Sequence, residues 1–116
     1  MDMKRGRAVG SVKISVDVLV KIAETAAAEI EGVALEGQRL ATVGAKSGFL
    51  GTVRVRLSGE TASLRIEIVV LEGYNAVTVS ESVQKSVKSA IQNMTGYTVT
   101  KVDVVVAGIR LKEKED

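Results

Sequence analysis

The chain has 116 residues, 46% of them hydrophobic and 26% charged, and its 16 basic and 14 acidic residues leave a net charge of only +2. This length favours one domain, and so small a charge excess is not the clustered basic footprint of a nucleic-acid-binding protein. The sequence contains no Cys and no His, which removes disulfides, the commonest general base and the commonest metal ligands. We therefore expect no enzymatic activity, no metal site and no cofactor.

No apolar run reaches the roughly 18 residues that suggest a membrane-spanning helix. The first ten residues, MDMKRGRAVG, are charged, and no apolar stretch of signal-peptide length follows them. We therefore expect a cytoplasmic protein that does not insert into the membrane directly. Residues 1–8 are predicted to be a basic tail, residues 9–111 an α+β domain, and residues 112–116 (KEKED) a charged tail.

The first two predicted elements are a strand and a helix. Residues 9–15 alternate, with Val12 and Ile14 on one side, which is typical of a strand. In SVDVLVKIAETAAAEIEG the apolar residues recur at helical spacing instead. Ser15 is the expected N-cap of this helix, and Gly32 is its expected left-handed cap at the carboxyl end.

Residues 33–51, VALEGQRLATVGAKSGFLG, follow neither period and include four glycines. This composition predicts a long surface loop, and loops of such length are often functional. The GAKSG stretch within it departs from a phosphate-binding loop, in which the lysine follows the glycine directly. A mobile surface loop is therefore the prediction.

Two alternating runs around Gly59 and Glu60 predict an antiparallel hairpin. In residues 52–58 Val53, Val55 and Leu57 share one face. In the following run, residues 61–73, the predicted inward residues are Ala62, Leu64, Ile66, Ile68 and Val70.

The second predicted helix spans residues 75–96, with Thr78 or Ser80 as its N-cap and Gly96 at its end. The tripeptide NMT at positions 93–95 matches a glycosylation acceptor. In an intracellular chain, we interpret it as the last helical turn, with Met94 pointing into the core.

The last predicted strand covers residues 97–111, with Val102, Val104 and Val106 on one face. The element order is thus βαββαβ. Each helix has one apolar stripe to bury, which favours a four-stranded sheet with both helices on one face. Right-handed crossovers favour the split βαβ, ferredoxin-like arrangement.

The exposed face of this sheet carries the candidate partner surface, formed by Arg54, Arg56, Arg65 and Lys101, with Glu67 and Asp103 as counter-charges. RNA-binding sheets of this topology stack bases on aromatic side chains of the central strands, and no aromatic residue occupies those positions. A solvated face, a protein-partner surface and a weak nucleic-acid surface remain open interpretations.

Two long stretches resemble a known family. GSVKISVDVLVKIAETAAAEIEGV, residues 10–33, resembles the opening of the bacterial alkaline shock protein family of envelope stress response proteins. Residues 77–109 are similar to its closing helix and strand, most specifically MTG followed by VTKVDVVVAGI. The resemblance implies a small cytoplasmic bacterial protein without known catalytic residues, linked to envelope stress and, in some relatives, to lipid homeostasis. It also implies that some members are held at the membrane by a separate anchor protein.

The leading hypothesis is a non-enzymatic interaction protein that acts on a membrane-anchored protein partner or on copies of itself as a homo-oligomer. It would use the sheet face, the glycine-rich loop of residues 33–51, or both. The alternative is an RNA- or nucleotide-binding regulator linked to lipid metabolism, which rests on analogy of fold and on the basic sheet residues. We expect no DNA partner.

Overall fold

A computed structural model of the chain describes residues 14–35 and 48–111. The elements are α1 (Val16–Ala28), β1 (Thr52–Ser58), β2 (Thr61–Leu71), α2 (Ala76–Thr95) and β3 (Thr98–Arg110). The α+β class is confirmed.

In the described part of the chain the sheet has three strands in the order β1-β2-β3. The β1–β2 hairpin is antiparallel, as predicted, whereas β2 and β3 are parallel neighbours joined through α2. The prediction of a split βαβ unit is wrong, because no strand lies between β2 and β3. The expected first strand, residues 9–15, lies mostly outside the described residues, and Ile14 and Ser15 are not in a strand. The four-stranded sheet is therefore not confirmed.

Helix α1 begins as predicted and ends early. The backbone N–H of Val18 donates to Ser15 Oγ at 3.3 Å, which makes Ser15 the N-cap. The helix ends at Ala28, with Glu29 as its right-handed cap, so the assignment of Gly32 as the cap is wrong. Gly32 does have a positive φ of 100°, but it lies in the following turn, where its carbonyl accepts from Leu71 N–H at 2.8 Å.

Both ends of the predicted loop, residues 33–51, are paired rather than free. Val33 bridges to Val70 and Leu35 to Phe49, both antiparallel. Val33 and Ala34 are fully buried, because this segment continues the sheet beside the end of β2. Residues 36–47 lie outside the described residues.

The N-cap of helix α2 is Asn75, whose side chain accepts from the Thr78 N–H at 3.0 Å, so the prediction of Thr78 or Ser80 as the cap is wrong. The end of the helix at Gly96, with φ 82°, is confirmed. Met94 is 67% exposed, so its predicted core position is wrong. Ile91 is the last buried residue of α2. Met94 is exposed because it lies in the final turn of the helix, after the point at which the buried core ends.

One core lies between the inner sheet face and the two helices, so both helices cover the same face. All five predicted inward residues of β2 are buried. The helices contribute their buried side chains to this core, which are Leu19, Ala23, Ala26 and Ala27 in α1 and Val79, Val83, Val87 and Ile91 in α2. Both described helices lie on this side, and Arg54, Arg56 and Arg65 are exposed on the opposite side of the sheet.

Candidate partner-binding surface

The outer sheet face carries all four predicted cationic side chains. Alternation along β1 directs Val53, Val55 and Leu57 towards the core and leaves Arg54 and Arg56 exposed. Arg65 is exposed between the buried residues of β2, and Lys101 is exposed near the start of β3. The hydrophobic pattern therefore fixes the side on which these cations lie.

Strand register brings the four cations close together. Arg54 lies opposite Arg65 in the hairpin, and Arg65 lies opposite Asp103 across the parallel pair. In the adjacent row the aligned residues are Arg56, Ser63 and Lys101. These six residues line a shallow groove of about 440 Å³, which we call the cationic groove.

The acidic neighbours neutralise only part of this charge. Lys101 Nζ lies 3.4 Å from Asp103 Oδ2, and both side chains are well exposed, at 66% and 46%. Glu67 accepts the Thr52 hydroxyl at 3.3 Å, one row further along the sheet. Within residues 14–35 and 48–111, Arg54, Arg56 and Arg65 make no ion pair and no side-chain hydrogen bond. Three guanidinium groups are therefore free to bind an anion.

The direct pairing of Arg54 with Arg65 has an energetic cost. Like charges directly opposite each other on neighbouring strands destabilise a sheet. An opposite-charge pair at these positions would favour the same hairpin. A local conflict of this kind is typical of functional sites. An acidic ligand bound between the two arginines would be attracted by both and would offset their repulsion.

Other features limit what this surface can bind. Strands β1, β2 and β3 contain no Phe, Tyr or Trp, so the groove has no platform on which bases would stack. Among the described residues no group of three or more acidic side chains is placed to hold a metal ion. None of the described helices is both long and apolar enough to cross a membrane.

The sequence prediction missed the protection of the β3 edge. Gln84 Nε2 donates to the Val102 carbonyl at 2.8 Å, and Gln92 Oε1 accepts from Val99 N–H at 3.0 Å. Both glutamines project from α2, so the helix covers part of a strand edge that would otherwise be open to pairing. The glutamines gave no signal in the sequence, because their partners are backbone atoms of a strand whose position was unknown.

A second missed contact joins the turn after α1 to the segment before α2. Tyr74 Oη donates to Glu31 Oε2 at 3.1 Å. This hydrogen bond, with the nearby negative charge of Glu31, raises the pKa of the Tyr74 hydroxyl. Because the Tyr74 ring also lies over Gly32, the contact holds the turn in place and has no role in the cationic groove.

Comparison with known proteins gives a family match along nearly the whole chain. A model of the alkaline shock protein 23 family, described by a cell envelope-related function, matches residues 4–111. The uncharacterized protein YloU of Bacillus subtilis (strain 168) is 31% identical over 108 residues, which cover 88% of this chain and 90% of YloU. The uncharacterized protein YqhY of the same strain is 28% identical over 109 residues, covering 90% and 81%.

Solved structures share the fold at low sequence identity. A substituted form of the MamM CTD matches with a TM-score of 0.54 and 17% identity, covering 84% of this chain and 95% of that one. A manganese form of the MamM CTD matches with a TM-score of 0.51 and 16% identity, covering 81% and 99%. At these identities the likeness shows the arrangement of helices and strands alone.

Proposed function

This chain belongs to the alkaline shock protein 23 family, whose function is cell envelope-related, and we propose that it is a non-enzymatic interaction protein that binds an acidic protein partner at the envelope. The cationic groove would be the binding surface. Such a partner, itself anchored in the membrane, would bring this chain to the envelope. Localisation in the cytoplasm is part of the same proposal.

The observation that carries the proposal is the set of three arginines on one exposed face that have no ion-pair partner in the described part of the chain. Guanidinium groups bind carboxylates through two parallel hydrogen bonds. Arginine is enriched at protein interfaces, whereas lysine is depleted there. Three of the four cations in the groove are arginines, which favours recognition of carboxylates over a diffuse attraction to negative charge.

A binding role is better supported than catalysis. Among the described residues that line the groove, Ser63 is the only one with a hydroxyl side chain, and the chain has no His or Cys to act as a partner base or nucleophile. The alternative, an RNA- or nucleotide-binding regulator, has weaker support because the strands offer no aromatic side chain for stacking.

The test compares two variants that each remove two positive charges. Arg54→Thr with Arg65→Thr changes the groove and keeps good strand formers in β1 and β2. Lys85→Gln with Lys88→Gln removes two exposed lysines from α2 as the matched control. Binding of a fluorescent glutamate-rich peptide is measured by anisotropy at low and moderate salt.

We expect the arginine variant to bind the peptide about tenfold or more weakly, while the lysine variant binds like the wild type. Wild-type binding should weaken as salt screens the exposed charges. Equal losses in both variants would show that only net charge matters and would overturn the proposal. Arginine-dependent binding of random single-stranded RNA, without peptide binding, would favour the alternative. Arginine-dependent binding of anionic lipid vesicles, again without peptide binding, would place the ligand in the membrane and not in a protein.

A further inference from the structure

A second surface lies on the helix layer, on the far side of the domain from the cationic groove. Helices α1 and α2 form the walls of a largely apolar groove of about 270 Å³, which we call the helix groove. It is lined by Lys21, Ile22, Thr25, Ala26, Glu29, Ala90 and Met94. Met94 is 67% exposed here, and Val18, one turn before Ile22 on α1, is 47% exposed. Exposed apolar side chains grouped along a groove are typical of an interaction site.

The charges along this face have a symmetric arrangement. Lys21, Thr25 and Glu29 lie four residues apart, so they follow one side of α1, and all three are exposed. At 1.5 Å per residue the lysine and the glutamate are about 12 Å apart along the helix axis, with the threonine midway. Within the described residues neither Lys21 nor Glu29 forms an ion pair.

We propose that a second copy of this chain binds at the helix groove, with the two α1 helices crossing antiparallel at Thr25 about a two-fold axis. A two-fold contact requires a patch that is complementary to itself. Antiparallel α1 helices satisfy this condition, because Lys21 then faces Glu29 of the partner subunit and Glu29 faces the partner's Lys21. The parallel arrangement would place like charges together at both ends.

The shape of the face fits this crossing. Thr25 and Ala26 are small, so the two helices can approach to the usual 8–10 Å between axes. The exposed Met94 and Val18 would be covered by the other copy, which removes apolar surface from water. A single helix crossing buries less than the roughly 800 Å² per partner of a stable interface. We therefore expect a dimer that dissociates on dilution.

The first experiment is a charge exchange followed by sedimentation equilibrium. Lys21→Glu alone places two carboxylates together at each end of the crossing, and Glu29→Lys alone places two ammonium groups there. Each single variant should weaken the dimer about tenfold or more, as like charges across an interface are strongly unfavourable. The double variant restores opposite charges and should recover the dimer to within about threefold of the wild type. Lys85→Glu, on α2 outside the groove, is the control and should have no effect.

The second experiment uses the absence of cysteine from the chain. At a two-fold axis through Thr25, Thr25→Cys places each thiol next to its own copy, within reach of a disulfide. Mild oxidation should therefore give a covalent dimer, detected on a non-reducing gel. Ser89→Cys, an exposed control on α2 outside the groove lining, should give no covalent dimer under the same conditions.

Three results would overturn the inference. These are a wild-type chain that is monomeric at every concentration, a double charge variant that stays as weak as the single ones, and oxidised Thr25→Cys protein that forms no dimer. A foreign helix as the true occupant would appear as a monomer whose Thr25 thiol cross-links to another protein. Dimerisation and peptide binding can be tested separately. The Arg54→Thr, Arg65→Thr variant should dimerise normally, and the Lys21→Glu variant should still bind the acidic peptide.

Discussion

Replacement of Gly51 by alanine should destabilise the domain severely, because the added methyl group has no room. The new Cβ would approach the Phe49 ring to 2.8 and 2.9 Å, and it would also overlap the backbone carbonyl oxygen of Glu67. The phenyl ring can shift by rotating about its side-chain bonds. The Glu67 carbonyl cannot move easily, because that residue is paired with Thr52 on one side and Val105 on the other.

The size of the effect follows from this second contact. Overpacking of a well-packed site costs about 1–3 kcal/mol, and an obstacle fixed in the central strand places Gly51→Ala at the upper end, about 3 kcal/mol. For a domain of this size 1 kcal/mol lowers Tm by about 4 °C, so the expected decrease is about 12 °C. Thermal unfolding followed by circular dichroism measures it directly.

Gly108→Ala is the matched control. Gly108 also lies in the sheet, but a Cβ there meets no atom within 4 Å. Alanine reduces the freedom of the unfolded chain, so this variant should be unchanged or stabilised by about 0.5 kcal/mol. If Gly51→Ala unfolds at the wild-type temperature, residues 49–51 do not approach β2 as described, and the paired ends of the 33–51 segment must be reconsidered.

Two further predictions concern the segments around α2. Gly96→Val should lower the free energy of unfolding, measured in urea, by about 1–2 kcal/mol, because φ is +82° and a valine is strained there. No described atom lies within 4 Å of the added Cβ, so the cost is conformational and not steric crowding by neighbours. Gly96→Asn should lose clearly less stability, and equal losses would exclude the conformational cause. The hydrogen bond to Glu31 raises the pKa of the Tyr74 hydroxyl above its ordinary 10.0. The stabilisation from this hydrogen bond is therefore fully present below pH 10 and is lost as pH rises through the folded-state pKa. Unfolding midpoints of wild type and Tyr74→Phe should therefore differ at pH 8 and converge at high pH, and a difference that grows with pH would contradict this assignment.

Sequence patterns predicted correctly those element boundaries that are set by residues close together in the chain. The hairpin follows from alternation on both sides of a two-residue turn, and the end of α2 follows from a glycine after the apolar stripe. Even the Arg54–Arg65 pairing could be obtained from the sequence. The turn aligns Ser58 with Thr61, and counting back from that pair places the two arginines opposite each other.

The predictions that failed depend on distant contacts. Helical periodicity gives the direction of Met94 around α2 but not the point along the helix at which the core ends. The end of α1 is set by the pairing of the next residues with β2, and no signal within the helix shows this. The position of Asp103 beside Arg65 depends on parallel pairing and on a register shift between Ala62 and Ser63, neither of which is visible in a single sequence.

The two proposed surfaces lie on opposite layers of the domain, and this limits how a dimer could act. A dimer joined through its helix layers would have its two cationic grooves on opposite outer sides, facing away from each other. Such a dimer could not place both grooves on one flat membrane, but it could link two separate acidic partners. Because linked sites gain avidity only where geometry allows simultaneous binding, an array of anchored partners suits this arrangement better than a lipid surface. Lys21→Glu should therefore abolish cross-linking of peptide-coated beads while leaving the affinity for free peptide unchanged, and equal cross-linking by this variant would show that the two surfaces do not act together.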